Sequence, residues 1–136
     1  MDFNRYIHLE RLGNDEVQGI EFGECWIFPK LDGTNGSLWW NDGLCGGSRN
    51  RHLSLESDNA GFLEASITDQ RYHNFFSGRR KHRLYGEWLV PHAFQGYRKE
   101  AWRKFYVFDV ALLADTEVEH FVPFSVYEPW LKESEL

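Results

Sequence analysis

Apolar and polar positions along the chain change their spacing several times, and each change marks an element. Residues 24–29, with Cys25-Trp26-Ile27-Phe28 at their centre, form a short continuous apolar run that reads as a buried strand. Residues 37–40 and 43–48 flank Asn41-Asp42-Gly43, a turn sequence that predicts a hairpin. Residues 56–77 change to helical spacing, with Phe62, Leu63, Tyr72, Phe75 and Phe76 as candidate core positions. Residues 83–90 and 103–113 are dense in aromatic and branched side chains and read as two further strands. Ser125-Val126-Tyr127-Glu128 has the form of a capping box and predicts a terminal helix through Trp130. Strands outnumber helices, so the expected class is α+β with a largely antiparallel sheet.

Composition narrows the picture. The 136 residues suit one domain with a substantial core, and aromatics at 17% exclude disorder. No apolar run is long enough to span a bilayer, and Met1-Asp2-Phe3-Asn4-Arg5 lacks the pattern of a signal peptide, which predicts a cytosolic protein with no membrane partner. Cys25 and Cys45 have no metal-ligand spacing and are expected as reduced, buried thiols on strands. The formal charge of −6 is unevenly spread. Residues 1–24 hold six acids against two bases, residues 115–136 six against one, and residues 25–114 twelve bases against nine acids. A mildly basic centre between acidic ends tolerates a polyanionic partner.

The stretch richest in chemistry is Lys30-Leu31-Asp32-Gly33-Thr34-Asn35-Gly36, where the expected strand meets a glycine turn. A lysine kept partly dry at such a point loses its proton more readily, and its amine can attack an electrophile. Asp32 can hold the ammonium, and Gly33 lets the backbone approach a ligand closely. The alternative is an ordinary β-turn with an exposed lysine.

This stretch resembles the Lys-x-Asp-Gly motif of the covalent nucleotidyltransferases: DNA ligases, RNA ligases and mRNA capping enzymes. Three further segments, Ser48-Arg49-Asn50, Leu84-Tyr85-Gly86-Glu87-Trp88 and Phe105-Tyr106-Val107-Phe108-Asp109, resemble the later motifs of that superfamily in the same order. Asn35, where DNA ligases and capping enzymes usually carry arginine, is similar to the RNA ligase branch of phage nick-sealing and RNA-editing enzymes. The resemblance implies a nucleotidyltransferase fold with ATP bound in a cleft between sheets, and Mg2+ or Mn2+ as the assisting ion. It implies that Lys30 takes AMP covalently and passes it to an RNA 5′-phosphate, after which a 3′-hydroxyl displaces AMP. Asn35 would then meet the ribose and Arg49 the phosphate. Glu87 would contact the ribose and support the metal, and Phe108 would stack on adenine.

Each residue has a plainer reading beside the functional one. Arg49 competes with Arg51 for its role, or is a surface arginine. Glu87, in an otherwise apolar strand, could instead pair with an arginine across the sheet. Phe108 could be simple core; alternation along the strand puts it with Tyr106 on one face and Phe105, Val107 and Asp109 on the other. Arg71, Arg79, Arg80, Lys81 and Arg83 form the densest basic cluster, either holding RNA phosphates at a cleft rim or forming a solvated loop. The six histidines show no metal spacing.

Two later motifs of the superfamily, a Glu-Gly pair and a Lys-x-Lys, do not occur. The resemblance therefore predicts that residues 1–136 are the front part of an adenylylation domain, with no second domain, weak on its own in strand joining. Exposed sheet edges would favour self-association. A non-catalytic nucleotide- or RNA-binding remnant of the lineage is the rival, and a DNA ligase is disfavoured by Asn35.

Overall fold

The computed structural model describes residues 1–113 and 118–136. Five strands form one antiparallel sheet in the order β2-β1-β3-β4-β5: β1 Thr34–Trp40, β2 Leu44–Ser48, β3 His82–Trp88, β4 Phe105–Leu113 and β5 Glu119–Phe121. The helices are α1 Phe62–Thr68, α2 Gln70–Ser77 and α3 Phe124–Glu133. The α+β class and the antiparallel sheet are as the sequence predicts.

One face of the sheet builds the core. Leu38, Leu84, Trp88 and Val110 meet Phe62, Leu63, Tyr72, Phe75 and Phe76 of the first two helices, and Tyr127 and Leu131 of α3. All five candidate core positions of the helical stretch are buried. The stretch divides because Asp58 and Asp69 each cap a helix: Asp58 accepts from the Leu63 and Glu64 amides at 2.9 and 3.1 Å, and Asp69 from the Arg71 amide at 3.0 Å. The opposite face, carrying Ser37, Trp39, Arg83 and Tyr85, is covered near its middle by the N-terminal segment. Phe3 lies against Trp39 and Tyr6 against Tyr85.

Four expectations are corrected. Residues 24–29 do not form a strand; both sides of β1 are already paired, by β2 and β3, so the adjoining segment has no free edge there. Trp26 and Phe28 instead lean on Phe124, with ring centroids 4.6 and 5.0 Å away, and Ile27 is 90% exposed. Cys25 is accordingly exposed, while Cys45 on β2 is half-buried and its thiol is pushed up by that burial. Ser125 does not cap α3, which begins at Phe124 after Pro123 and so places Ser125 within its first turn. Finally, β4 bulges: Tyr85 faces Asp109 but Gly86 faces Val107, leaving Phe108 unpaired. Simple alternation fails at this point, and Tyr6 reaches both neighbours, its ring 5.1 Å from Phe108 and its hydroxyl donating to Asp109.

The difference between the two apolar segments is measurable. Phe62→Ala, at a fully buried position, is expected to cost about 3–5 kcal/mol in chemical denaturation. Ile27→Ala should change stability by no more than about 0.5 kcal/mol. A large loss at Ile27 would restore the buried strand.

Candidate active site

The Asp32–Gly33 turn leads directly into β1, and β3 lies beside it. The Gly33 amide donates to a Glu87 carboxylate oxygen at 2.9 Å. Gly33 also sits so close to the Trp88 carbonyl that a Cβ there would lie 2.4 Å from its oxygen. Only glycine lets the turn settle on the strand, because any side chain would separate amide and carboxylate.

Across the sheet, Asn35 stands opposite Glu87, and Glu87 opposite Tyr106, so strand pairing puts these three on one face. Glu87 is half-buried. Loss of water raises its pKa above the ordinary glutamate range; the Gly33 amide and the nearby charges of Lys30 and Arg49 act against that rise, and Asp32 adds to it. Lys30, Asp32, Arg49 and Glu87 therefore share one electrostatic neighbourhood at one end of the sheet. The Glu87 hydrogen bond goes to Gly33 rather than to an arginine across the sheet.

Lys30 is exposed, in contrast to the partly dry setting expected of it, because the segment before it is not packed as a strand. Asp32 is held by a loop that sequence spacing did not flag. Its carboxylate accepts from the Phe94 amide at 2.5 Å and bonds His92 Nδ1 at 3.1 Å, and its own amide donates to the Tyr97 hydroxyl at 2.8 Å. The Phe94 amide above all, with His92 and then Lys30 adding to it, holds the Asp32 carboxyl below its usual range against the opposing effect of lost hydration. The local signal was a polar-aromatic run between β3 and β4, but nothing in it indicates a partner about sixty residues away.

Arg49 and Arg51 separate clearly. Arg51 is tied to the 57–58 backbone, donating to the Ser57 and Asp58 carbonyls at 2.6 and 3.1 Å, whereas Arg49, exposed just beyond β2, is the one whose charge reaches Glu87. Phe108 lies further along β4, half-buried beside Tyr6, and its carbonyl accepts from the Tyr127 hydroxyl at 2.7 Å.

The basic cluster is not brought to this site. Residues 79–82 lead into β3 at its far end, about 16 Å along the strand from Glu87. Arg79 pairs with Glu133 at 2.9 Å, Arg80 lies 3.9 Å over Trp40, and Arg71 is locked to Asp69 at 2.6 Å. Lys81 is exposed. Arg83 is 1% exposed, stacked 4.4 Å over Trp39 and paired with Glu119 at 2.7 Å, so it cannot face RNA: strand alternation points it inward under the N-terminal segment.

Among the described residues no three His, Cys, Asp or Glu side chains group as metal ligands. Glu87 and Asp32 do not make a protein cage for Mg2+ or Mn2+; such a site demands several oxygen donors, many of them from water and phosphate. Among the same residues no helix is long and apolar enough to cross a membrane.

Comparison with known proteins now bears on this arrangement. A family model described as RNA ligase matches residues 23–136. Among solved structures, Naegleria gruberi RNA ligase with PPi is similar in fold, with a TM-score of 0.58 at 23% identity. The match covers 78% of this chain and 31% of that one, so the chain spans less than a third of that protein's length. No curated protein sequence matches.

The burial of Glu87 has a signed consequence. Its folded pKa lies above its unfolded value, so stability falls as pH rises through an ordinary glutamate pKa of about 4.3 and the penalty is complete above the folded pKa. Glu87→Gln retains an acceptor for Gly33 and removes the buried charge. Its melting temperature should match or exceed that of the unsubstituted protein at pH 7, with the difference shrinking toward pH 4. A difference that grows on acidification would reverse the sign of this account.

Proposed function

Because this chain belongs to the RNA ligase family, we propose that it carries the nucleotide-accepting part of an ATP-dependent RNA ligase, with Lys30 as the nucleophile. The supporting observation is the convergence of Lys30, Asp32, Arg49 and Glu87 around a glycine turn at the end of the sheet. The neutral Lys30 amine attacks the α-phosphorus of ATP. A P–N bond forms, the bond to the bridging oxygen breaks, pyrophosphate departs, and the amine gives up a proton to solvent. AMP then passes from Lys30 to an RNA 5′-phosphate, and attack by a 3′-hydroxyl joins the strands and releases AMP.

Each neighbour has a task suited to its chemistry. The exposed guanidinium of Arg49 offers a planar fork to phosphate oxygens. Asn35 and Glu87, side by side on one face, present an amide and a carboxylate to ribose hydroxyls. Phe108 offers a π-face to adenine, and a π-face binds any base, so the choice of adenine lies with contacts to its edge. The turn gives Asp32 a fixed place near Lys30. Charge on a transferring phosphoryl group is stabilised by cations and metal, so residues 1–136, read as part of an adenylylation domain, are expected to be slow in strand joining without further cationic groups. A purely binding role makes the opposite prediction for covalent chemistry.

Intact-mass measurement after incubation with ATP and Mg2+ separates the two. The expected result is an AMP adduct that peptide mapping places on Lys30 and that Lys30→Ala abolishes. An adduct on Lys81, Lys99, Lys104 or Lys132 would reject the assignment. For the base, Phe108→Ala should weaken ATP binding by about tenfold or more, the scale of one base stack, and more than Tyr106→Ala. Equal effects would remove Phe108 from the base site.

A further inference from the structure

Residues 90–103 join β3 to β4 and fold back onto the Asp32–Gly33 turn. Their ends are pinned where the ladder continues: the Leu89 amide donates to the Lys104 carbonyl at 2.9 Å, and the Arg103 amide to the Leu89 carbonyl at 2.7 Å. Between these points aromatic edges stiffen the loop. Phe94 meets Tyr97 at 4.8 Å and Tyr97 meets Trp102 at 5.2 Å, both nearly perpendicular. Gly96 packs so tightly on the Phe94 ring that a Cβ would lie 2.5 Å from it.

This stiffened loop grips a single residue from three sides. His92 Nδ1 and the Phe94 amide take the two oxygens of Asp32, and the Tyr97 hydroxyl accepts from the Asp32 amide. The next amide, that of Gly33, is taken by Glu87. A solvated turn carboxylate has no need of such contacts, and they span sequence separations of 60 to 65. Both the backbone and the side chain of the turn are therefore set by groups on β3 or just after it.

We propose that the loop of residues 91–97 is a clamp that positions Asp32 and, through it, Lys30, with His92 and Tyr97 as positioning residues that do not themselves touch the reacting atoms. The step from Asp32 to Lys30 rests on the reading of Lys30 as nucleophile; the clamp on Asp32 does not. Held this way, the acid and the turn keep one arrangement before nucleotide arrives, which favours a near-attack geometry over a flexible lysine. The clamp should therefore act on the rate of adenylate formation at saturating ATP more than on ATP half-saturation.

The test uses the full chain and two readouts. The first follows the Asp32 carboxyl carbon by NMR through a pH titration. Its midpoint should lie below that of an ordinary aspartate, rise in His92→Ala, and return toward its starting value in His92→Asn, whose amide can donate from a similar position. The second is the rate of AMP attachment by intact mass. Tyr97→Phe and His92→Ala should each slow it about tenfold at saturating ATP, the scale of one lost hydrogen bond to a charged group or its neighbour, with His92→Asn recovering most of the rate. Thermal melting of each variant checks that the fold persists. If the chain takes no AMP but the Asp32 midpoint moves as described, the nucleophile reading fails and the clamp stands. If AMP attaches while neither variant changes the midpoint or the rate, the clamp is overturned. An unchanged midpoint in His92→Ala overturns it even where no AMP attaches.

Discussion

The hydrogen bond from the Gly33 amide to Glu87 is the joint on which the site depends. It ties the segment that carries Lys30 and Asp32 to the central strand of the sheet, and the contact of Gly33 with the Trp88 carbonyl leaves no room for a side chain at that joint. Glu87 can serve as the anchor because β3 is paired on both sides and is rigid. Holding a carboxylate half-buried costs free energy, visible as its raised pKa, and the amide of Gly33 together with the cations Lys30 and Arg49 offsets part of that cost. Moving the turn away would leave a partly dry acid without its donor, which is why the same interaction both assembles the site and keeps it assembled.

Much of the fold was legible because its signals are local. The Asn41-Asp42-Gly43 hairpin and the apolar positions of residues 56–77 follow from turn chemistry and side-chain period, and the structure has them where the spacing puts them. Two of the failures depended on something outside the local window, and the third on a residue just ahead of it. Cys25-Trp26-Ile27-Phe28 has strand composition, but β1, which follows it, is already paired on both sides, and Trp26 and Phe28 rest on Phe124 at the start of α3 instead. The bulge at Phe108 breaks a period that one sequence read alone presumes to be regular. The Ser125–Glu128 spacing suits a helix start, yet α3 begins before Ser125, at Phe124, with Pro123 in the N-cap position.

The site was legible as a set of residue types and not as a set of contacts. Lys30, Asp32, Gly33, Asn35, Arg49 and Glu87 stand out by the resemblance of their segments to the family motifs and by the order of those segments, and the sheet brings them to one end. Arg83 looked like a member of a basic surface but sits on a strand whose alternation turns it inward, where Trp39, Glu119 and the N-terminal segment enclose it. The hold of His92, Phe94 and Tyr97 on Asp32 had no sequence signal, since hydrogen bonds between such distant positions exist only once β3 and β4 are paired.

The most direct measurement is amide hydrogen exchange at Gly33. An amide in a surface turn exchanges at close to the open-chain rate, whereas one bonded to a strand carboxylate exchanges only when that contact opens. The account predicts that the Gly33 amide is protected in the unsubstituted chain and loses that protection in Glu87→Ala, while the amides of the β1–β3 ladder stay protected in both. A Gly33 amide that exchanges freely in the unsubstituted chain, or one that remains equally protected in Glu87→Ala, would contradict it.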